Sequence, residues 1–361
     1  MEHPEDVTDS PGAIGRERAK EIRAFILAHL TEAFQDVSRL TTQRFNVPRH
    51  VVFKQLKRLE ARHLIEGQGR TKARVHRLAV TRSEKRFKVE GLSEDDVWRK
   101  FVLPSLRDLP ENVLGICQYG LTEMVNNVVD HSESETCTVF VERTPQSARL
   151  GVIDFGVGVF RKIQRALELP SPQEAVFELT KGKVTTDPSR HTGEGIFYTS
   201  RAFDNFRLLS YGLFLTHTRE GDDWLLGSDD GEQAGTYLTM MIDTHSTYSM
   251  QEIFEYYSNA RDDYGFNKTN VVLRLLDTGD ESFVSRSQAK RVLSRLPRFK
   301  EVMLDFDGIT SIGPAFADEI FRVFANEHPN VHLHAHRAND EVTRMIDRAR
   351  RAGDENAHGR H

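Results

Sequence analysis

A polar face on one predicted helix carries the side chains best suited to chemistry in this chain. Between Leu121 and His131, winding at about 100° per residue sorts polar and apolar side chains onto opposite sides. The polar side holds Glu123, Asn126, Asn127, Asp130 and His131. A carboxylate and two amides presented together favour a magnesium nucleotide as the ligand, and an ordinary solvated amphipathic face is the alternative.

Three further stretches follow this helix in an order that changes its interpretation. A buried strand ends at Asp154 and runs directly into Gly156 and Gly158. After a gap, Gly193-Glu194-Gly195 opens an apolar helix, and a later strand carries Gly235-Thr236. A lone pair of glycines is weak evidence, but the order and spacing of the four stretches together predict a nucleotide site.

Together these stretches resemble the N box, the two glycine boxes and the final Gly-Thr of the GHKL ATPase superfamily. The resemblance covers roughly residues 95 to 245. It implies an α/β sandwich that binds ATP and Mg²⁺, with Asn127 as the magnesium ligand and Glu123 as the catalytic residue that orients or deprotonates a water.

The residue types support these roles without the family. A carboxylate after a strand, Asp154, can accept a hydrogen bond from the exocyclic amine of adenine, and glycines behind it let backbone approach a flat base. The Thr236 hydroxyl can help to hold Asp154 or a bridging water, because a buried carboxylate needs donors. An amide oxygen such as that of Asn127 suits Mg²⁺, which keeps several waters.

The residues from Lys181 to His191 are basic and rich in turn formers, which predicts a lid over a triphosphate. Lys183 and Arg190 are its candidate phosphate contacts, with a solvated basic loop as the alternative. The free N–H groups at the start of the next helix also suit phosphate oxygens. The predicted nucleotide-binding set is Asn127, Asp130, Asp154, Gly156, Gly158, Lys183, Arg190, Gly193, Glu194, Gly195 and Thr236.

The sequence does not favour a histidine autokinase. No phosphoacceptor helix pair precedes the predicted ATP domain, and His131 lies inside the nucleotide helix instead. An ATPase and a serine/threonine protein kinase both remain open, as does ATP binding without catalysis.

Composition indicates a globular chain of two or three domains. The longest apolar runs are far shorter than a membrane span, and the acidic start is unlike a signal peptide, so we expect a cytoplasmic protein with no membrane partner. Cys117 and Cys137 are too few for a disulfide framework and are expected as free buried thiols. The alternation His332, His334, His336 fits one face of a strand better than a metal site.

Charge is distributed unevenly along the chain. Residues 14–90 hold 19 Lys and Arg against 8 Asp and Glu, whereas the remainder holds 30 against 46. A basic first domain on an acidic body predicts an anionic partner for that domain.

The pattern of residues 14–82 favours DNA as that partner. Apolar spacing predicts helices over 16–30, 37–45 and 48–63, followed by two strands around a basic hairpin. This order resembles the winged helix-turn-helix of bacterial regulators, although such domains also mediate protein contacts. The resemblance implies a third helix in the major groove and a wing on phosphates. The DNA-binding candidates are Arg49, His50, Lys54, Lys72 and Arg74.

Residues 81–90 are then expected as a charged linker, and a third domain is expected over 265–352. There, strands over 270–276, 301–306 and 331–334 alternate with helices over 285–296, 315–325 and 340–351. The stretch from Leu304 to Ile320 resembles STAS-like domains, relatives of anti-sigma-factor antagonists, which implies a surface for a regulatory protein partner.

The serine phosphorylated in such antagonists has no clear counterpart here. Pro314 and Ala315 stand at the matching place and lack a hydroxyl. Thr310 and Ser311 are nearby hydroxyls, and capping a turn or a helix is their simpler role.

The sequence therefore predicts an α/β multidomain protein: a winged helix over 14–82, a GHKL α/β sandwich over 92–245 and a small STAS-like α/β domain over 265–352. The favoured function is a bacterial ATP-binding signal-transduction or transcription-regulatory protein whose nucleotide state controls DNA or partner-protein binding. The alternatives are an anti-sigma-type serine/threonine kinase and a slow GHKL ATPase. The sequence leaves monomer and homodimer open.

Overall fold

The computed structural model describes residues 15–30, 36–69, 74–185, 193–219, 224–227, 234–259, 263–276 and 283–358 of the 361-residue chain. The chain divides into two compact units. The first covers Met1–Ser83 with the short pieces Glu142–Ala148 and Asp243–His245, and the second covers the remaining residues.

The first unit contains three helices and a hairpin in its described residues. These are α1 (Arg16–His29), α2 (Val37–Phe45), α3 (Arg49–Ala61), β1 (Ile65–Gln68) and β2 (Val75–Leu78). The two strands are antiparallel, with Ile65 opposite Leu78. Side chains such as Ile22, Ile26 and Leu59 form its buried core, and burying each such group contributes about 1.5–3 kcal/mol. The predicted helices and strands of this region are confirmed to within about two residues at each end.

The second unit is built on a seven-stranded sheet, as far as the described residues go. Its strands are β3 (Thr81–Lys88), β4 (Thr136–Arg143), β5 (Ser147–Asp154), β6 (Asn205–Ser210), β7 (Leu213–Thr218), β8 (Trp224–Gly227) and β9 (Thr236–Asp243). The strand order is β3-β4-β5-β9-β6-β7-β8. Strand β6 pairs antiparallel with both β9 and β7. This order makes β5 and β9 direct neighbours, although they are far apart in sequence.

The predicted charged linker over 81–90 is wrong, because the chain forms β3 there. All but one of the eight β3 residues are exposed, and β3 is the last strand at its end of the sheet. An edge strand tolerates many charges, since they deter pairing with other chains. For the same reason its composition looks like that of a linker.

Helices accompany this sheet. They are α4 (Glu94–Val97), a π-helical turn (Trp98–Val102), α5 (Leu103–Leu106), α6 (Glu111–His131), α7 (Val159–Ala166), α8 (Pro172–Lys181), α9 (Gly195–Ala202) and α10 (Met250–Tyr257). Helix α6 buries the apolar side predicted from its sequence, including Leu121, Met124 and Val125. Cys117 on α6 and Cys137 on β4 are both free and buried, as predicted.

The C-terminal part of the second unit alternates strands and helices. Its elements are β10 (Ser258–Asn259), β11 (Asp263–Phe266), β12 (Lys268–Val272), a 3₁₀ turn (Leu273–Leu276), α11 (Arg286–Leu293), a 3₁₀ turn (Leu296–Arg298), β13 (Glu301–Asp305), α12 (Pro314–Asp318), a π-helical turn (Glu319–Phe324), α13 (Ala325–Glu327), β14 (His332–His336) and α14 (Asp340–His358). Strands β12, β13 and β14 form a parallel sheet with β13 in the centre. A small α/β arrangement was predicted here and is confirmed.

Two boundaries in this part differ from the sequence prediction by four residues or more. The strand predicted over 270–276 ends at Val272, because Leu273 and Leu275 are buried by a 3₁₀ turn instead of by an extended strand. A continuous apolar run does not distinguish these two geometries. Helix α14 also continues to His358, beyond the predicted end at 351.

Two further predictions concern metals and membranes. The alternating histidines occupy strand β14, as predicted. No group of three His, Cys, Asp or Glu side chains in the described part of the chain is arranged to hold a metal ion. None of the helices among the described residues is long and apolar enough to span a bilayer.

Candidate functional site

A cleft of about 790 Å³, measured out to its open mouth, lies between α6 and the middle of the seven-stranded sheet. Apolar side chains make up most of its wall: Met124, Val128, Val152, Val159, Ile163, Leu179, Val184, Ile196, Leu208 and Leu238. The polar side chains on its wall are Asn127, His131, Ser132, Asp154, Lys162, Thr185 and Thr236. Gly158 and Gly193 complete the lining. The cleft wall therefore combines a mainly apolar surface with a few polar side chains that can form directed hydrogen bonds.

Asp154 is the buried carboxylate of this cleft. It ends β5, is 4% exposed, and accepts a hydrogen bond from the Gly156 N–H at 2.9 Å. Burial raises the pKa of Asp154, and hydrogen bonds from Gly156 and Thr236 only partly oppose that rise. Because an ionised buried carboxylate is costly without donors, a ligand that donates to Asp154 would relieve this cost.

Thr236 connects Asp154 to the start of α7. Its hydroxyl is hydrogen-bonded to the Asp154 carboxylate, and its oxygen accepts the Val159 N–H at 3.2 Å. Gly158, which precedes Val159, has φ +77, and a Cβ there would lie 2.5 Å from the Ser210 Oγ. Thr236 therefore joins β5, β9 and α7 at one point.

The glycine after Asp154 serves the protein's own packing. A Cβ at Gly156 would overlap the carbonyl oxygen of Ser132, and the Val157 N–H donates to that same oxygen at 2.8 Å. The close approach at Gly156 is therefore between two backbone segments, and its predicted contact with a base stays a prediction.

The second glycine turn brings a carboxylate to the start of α9. Gly193 has φ +74, and its carbonyl accepts the Val184 N–H at 3.1 Å. A Cβ at Gly195 would overlap the Glu123 carboxylate. Burial, together with Glu123 and other neighbours, raises the pKa of Tyr119. Glu123 thus lies at the N-terminus of α9, beside the residues that line the cleft and not among them.

Five of the predicted nucleotide contacts in the described residues do not line the cleft: Asp130, Gly156, Lys183, Glu194 and Gly195. The Lys183 ammonium donates to the Arg298 carbonyl at 3.0 Å and lies 5.0 Å from the Phe299 ring centre. Asp130 is exposed on the last turn of α6. Arg190 lies outside the described residues.

Lys162 is a cleft residue that the sequence analysis did not single out. It lines the wall from α7, and its ammonium donates to Glu133 at 2.5 Å, which lowers the pKa of that exposed carboxylate. The signal was present: a basic helix follows Gly158 directly, and Lys162 lies one turn after it.

The candidate DNA contacts differ in their surroundings. Arg49, His50 and Lys54 are exposed on the first turns of α3, next to Phe53, whose side chain is 52% exposed. Arg74, in contrast, forms an ion pair with Glu60 at the other end of α3. Lys72 lies outside the described residues. The exposed start of α3 is therefore the better-supported contact surface.

Neither Thr310 nor Ser311 is the N-cap residue of the helix that follows them. Gly313 is the N-cap of α12, and Thr310 is exposed. The loop that carries Thr310 is held by the Asn339 amide, which donates to the carbonyls of Ile309 and Thr310 at 3.0 and 2.9 Å.

A comparison with protein families identifies part of the chain. Residues 288–343 match the family described as a STAS-like domain of unknown function (DUF4325). No curated protein matches the chain significantly. The matched residues include most of α11 and all of β13, α12 and β14. This C-terminal segment, 288–343, is therefore STAS-like.

Proposed function

We propose that the chain binds ATP with Mg²⁺ in the cleft between α6 and the sheet, as a bacterial signal-transduction or transcription-regulatory protein. One observation carries the proposal. Four stretches scattered along the sequence bring Asn127, Asp154, Gly158, Gly193 and Thr236 to one cleft. If the polar face of α6 were only a solvated surface, there would be no reason for the residues of the other three stretches to lie beside it.

The chemistry of the cleft supports an adenine base. Apolar walls suit a purine ring, and the buried Asp154 can accept a hydrogen bond from the exocyclic amine.

The polar end of the cleft supports a metal-bound phosphate chain. The Asn127 side-chain oxygen, together with phosphate oxygens and water, would form a suitable shell for Mg²⁺. The Lys162 ammonium, at present paired with an exposed carboxylate, is a candidate phosphate contact.

Calorimetric titration with ATP, with and without a magnesium chelator, tests the proposal. Asp154→Asn should weaken ATP binding about 10- to 100-fold, because the exocyclic amine would then meet a neutral amide in place of a charged carboxylate. The matched control is Asp347→Asn on an exposed position of α14, which should bind ATP like the wild type. Unchanged affinity in a folded Asp154→Asn protein would remove Asp154 as the reader of the base.

We further propose that the nucleotide state controls DNA or partner-protein binding. The exposed basic start of α3 supports DNA as the partner of the first unit. The test compares the affinity for duplex DNA and its salt dependence with and without ATP. Identical values in both conditions would contradict such a switch.

Catalysis is the second candidate function, and the position of Glu123 favours it. The carboxylate lies against Gly195 at the start of α9, where phosphate oxygens would be held by free N–H groups. Glu123→Ala should then abolish slow ATP hydrolysis while largely preserving binding, because a water-orienting group acts mainly in the transition state.

Phosphoryl transfer to protein is the other form of catalysis. Incubation with γ-labelled ATP, followed by mass spectrometry of the chain and of added proteins, decides between the two. Labelled Thr310 or Ser311 would support a serine/threonine kinase, and labelled inorganic phosphate alone would support an ATPase.

A further inference from the structure

The end of α8 has two sides with different neighbours. Leu179, Val184 and Thr185 line the cleft. Between them, the Lys181 side chain is 1% exposed, and its ammonium donates to the carbonyls of Arg291 and Ser294 at 3.3 and 3.0 Å. Both acceptors belong to the STAS-like segment 288–343. One short stretch of chain therefore contacts the cleft and the STAS-like segment at once.

Charge makes this contact sensitive to displacement. The Lys181 ammonium also donates to Glu178 at 2.6 Å, and Arg295 of the STAS-like segment lies 3.6 Å from the other Glu178 oxygen. Glu174 and Arg291 form an ion pair at 3.2 Å beside them. A buried ammonium and a buried carboxylate are stable only with their partners in place. Displacing the STAS-like segment would therefore break these interactions at the same time.

The backbone after α8 is held from the same side. The Lys181 carbonyl accepts a hydrogen bond from the Thr269 hydroxyl at 2.7 Å, and Arg295 donates to the Lys183 carbonyl. At Gly182, φ is +81 and the Phe266 ring occupies the place that a Cβ would need. Three consecutive residues, 181–183, are thus fixed by residues of the C-terminal part.

The helix on the other side of Gly193 is held by the same aromatic ring. Phe197 and Tyr198 of α9 lie 4.4 and 5.2 Å from Phe266, measured between ring centres. Phe266 in turn lies 5.4 Å from Phe299 of the STAS-like segment. Ile196, one residue before Phe197, lines the cleft.

We propose that the STAS-like segment is an effector of the cleft within the same chain, because it contacts the wall segment before Thr185 directly and the wall segment after Gly193 through Phe266. This inference rests on nucleotide binding in the cleft. A ligand that fits the cleft only when these walls are in place stabilises the docked STAS-like segment. By reciprocity, a partner that displaces the segment lowers nucleotide affinity by the same factor.

Substitutions at the contact, away from the cleft, test the coupling. Arg295→Met removes the bond to Lys183 and one of the two cations beside Glu178, and Thr269→Val removes one hydroxyl at nearly constant shape. Neither residue lines the cleft. We expect Arg295→Met to weaken ATP binding at least about fivefold, the lower end of typical couplings, and Thr269→Val to weaken it less. Arg344→Met, an exposed arginine on α14, is the matched control and should leave ATP affinity unchanged.

Hydrogen exchange supplies a readout that direct contact with ATP would not give. ATP should slow amide exchange in α11 of the wild-type chain, and Thr269→Val should reduce that protection. Thr269→Val therefore still tests the coupling if Arg295→Met fails to fold. Wild-type chain that binds no ATP would overturn the proposed function and this inference together. The coupling alone would be overturned if the wild-type chain binds ATP without protection of α11, and both variants bind ATP as tightly as the wild type.

Discussion

The Thr236 hydroxyl is hydrogen-bonded to the Asp154 carboxylate across two neighbouring strands of the sheet. Asp154 is the last residue of β5, and Thr236 is the first residue of β9. The strand order places these two ends together, so the arrangement around the carboxylate depends on the whole sheet.

Asp154→Asn should raise the stability of the ligand-free protein while weakening ATP binding. The folded-state pKa of Asp154 is raised above its ordinary value of about 3.9, mainly by burial. Between these two values the folded state binds a proton that the unfolded state does not, so stability falls as pH rises through that window. At neutral pH the ionised group therefore costs stability, which a neutral amide would avoid.

Urea unfolding at several pH values measures this effect. The advantage of Asp154→Asn should be largest near neutral pH and should shrink as acid protonates the wild-type carboxylate. Asp347→Asn should show no such pattern. A less stable Asp154→Asn protein at neutral pH would contradict the prediction.

Two glycines on α6 should respond oppositely to alanine. A Cβ at Gly120 would lie 2.5 Å from the Phe203 ring and 3.1 Å from the Met240 sulfur, whereas Gly115 has open space around it. Gly120→Ala should destabilise the fold by about 1–3 kcal/mol through overpacking. Gly115→Ala should stabilise it by about 1 kcal/mol, because alanine is the better helix former.

Denaturant unfolding of the two variants, followed by circular dichroism, compares these effects within one helix. Equal changes for both would mean that α6 does not approach Phe203 as closely as described.

Lys181→Met should destabilise the fold through the charge that it leaves behind. Glu178 would remain buried without its nearest cation, and breaking such a pair costs about 3 kcal/mol or more. Adding Glu178→Gln should restore at least about half of that loss, because the amide is neutral and can still face Arg295.

Lys290→Met is the control for this cycle. Its ammonium is exposed and lies 3.8 Å from Glu319, so the change should stay within about 1 kcal/mol. Additive effects of the two substitutions at Lys181 and Glu178 in thermal unfolding would show that the pair is not energetically coupled.

Lys54→Ala should weaken binding of duplex DNA and lower its salt dependence. Loss of one phosphate contact reduces the slope of log affinity against log salt by about 1. Arg107→Ala, an exposed arginine in the second unit, is the matched control. Fluorescence anisotropy with a mixed-sequence duplex measures both. No binding even at low salt would favour the alternative, a first unit that contacts protein.

The sequence predicted elements best where apolar spacing was regular. Helix α2 has the predicted bounds, and α1 ends one residue before the predicted limit. Strand β3 was missed because its exposed edge position leaves no alternating apolar pattern. The roles of the predicted site residues, including Asn127 and Asp154, stay predictions, although both residues lie on one cleft wall.

The direction of single side chains was harder to foresee. Lys183 lies in a basic, turn-rich stretch that favours phosphate contact, yet its ammonium lies against Arg298 and Phe299. Lys181 was predicted to begin the lid, yet it is the last residue of α8 and is buried. Both outcomes depend on packing between parts of the chain that are more than a hundred positions apart, which no local pattern encodes.

The backbone hydrogen bond between Val184 and Gly193 has a practical consequence for engineering. An insert placed between these two positions would have its ends held together by this bond. Each doubling of the length of a flexible insert would then cost only about 0.6 kcal/mol in closure entropy. A fluorescent reporter inserted there would be attached to Val184 and Gly193, which both line the cleft. Its brightness would then serve as a gauge of whether the cleft is filled.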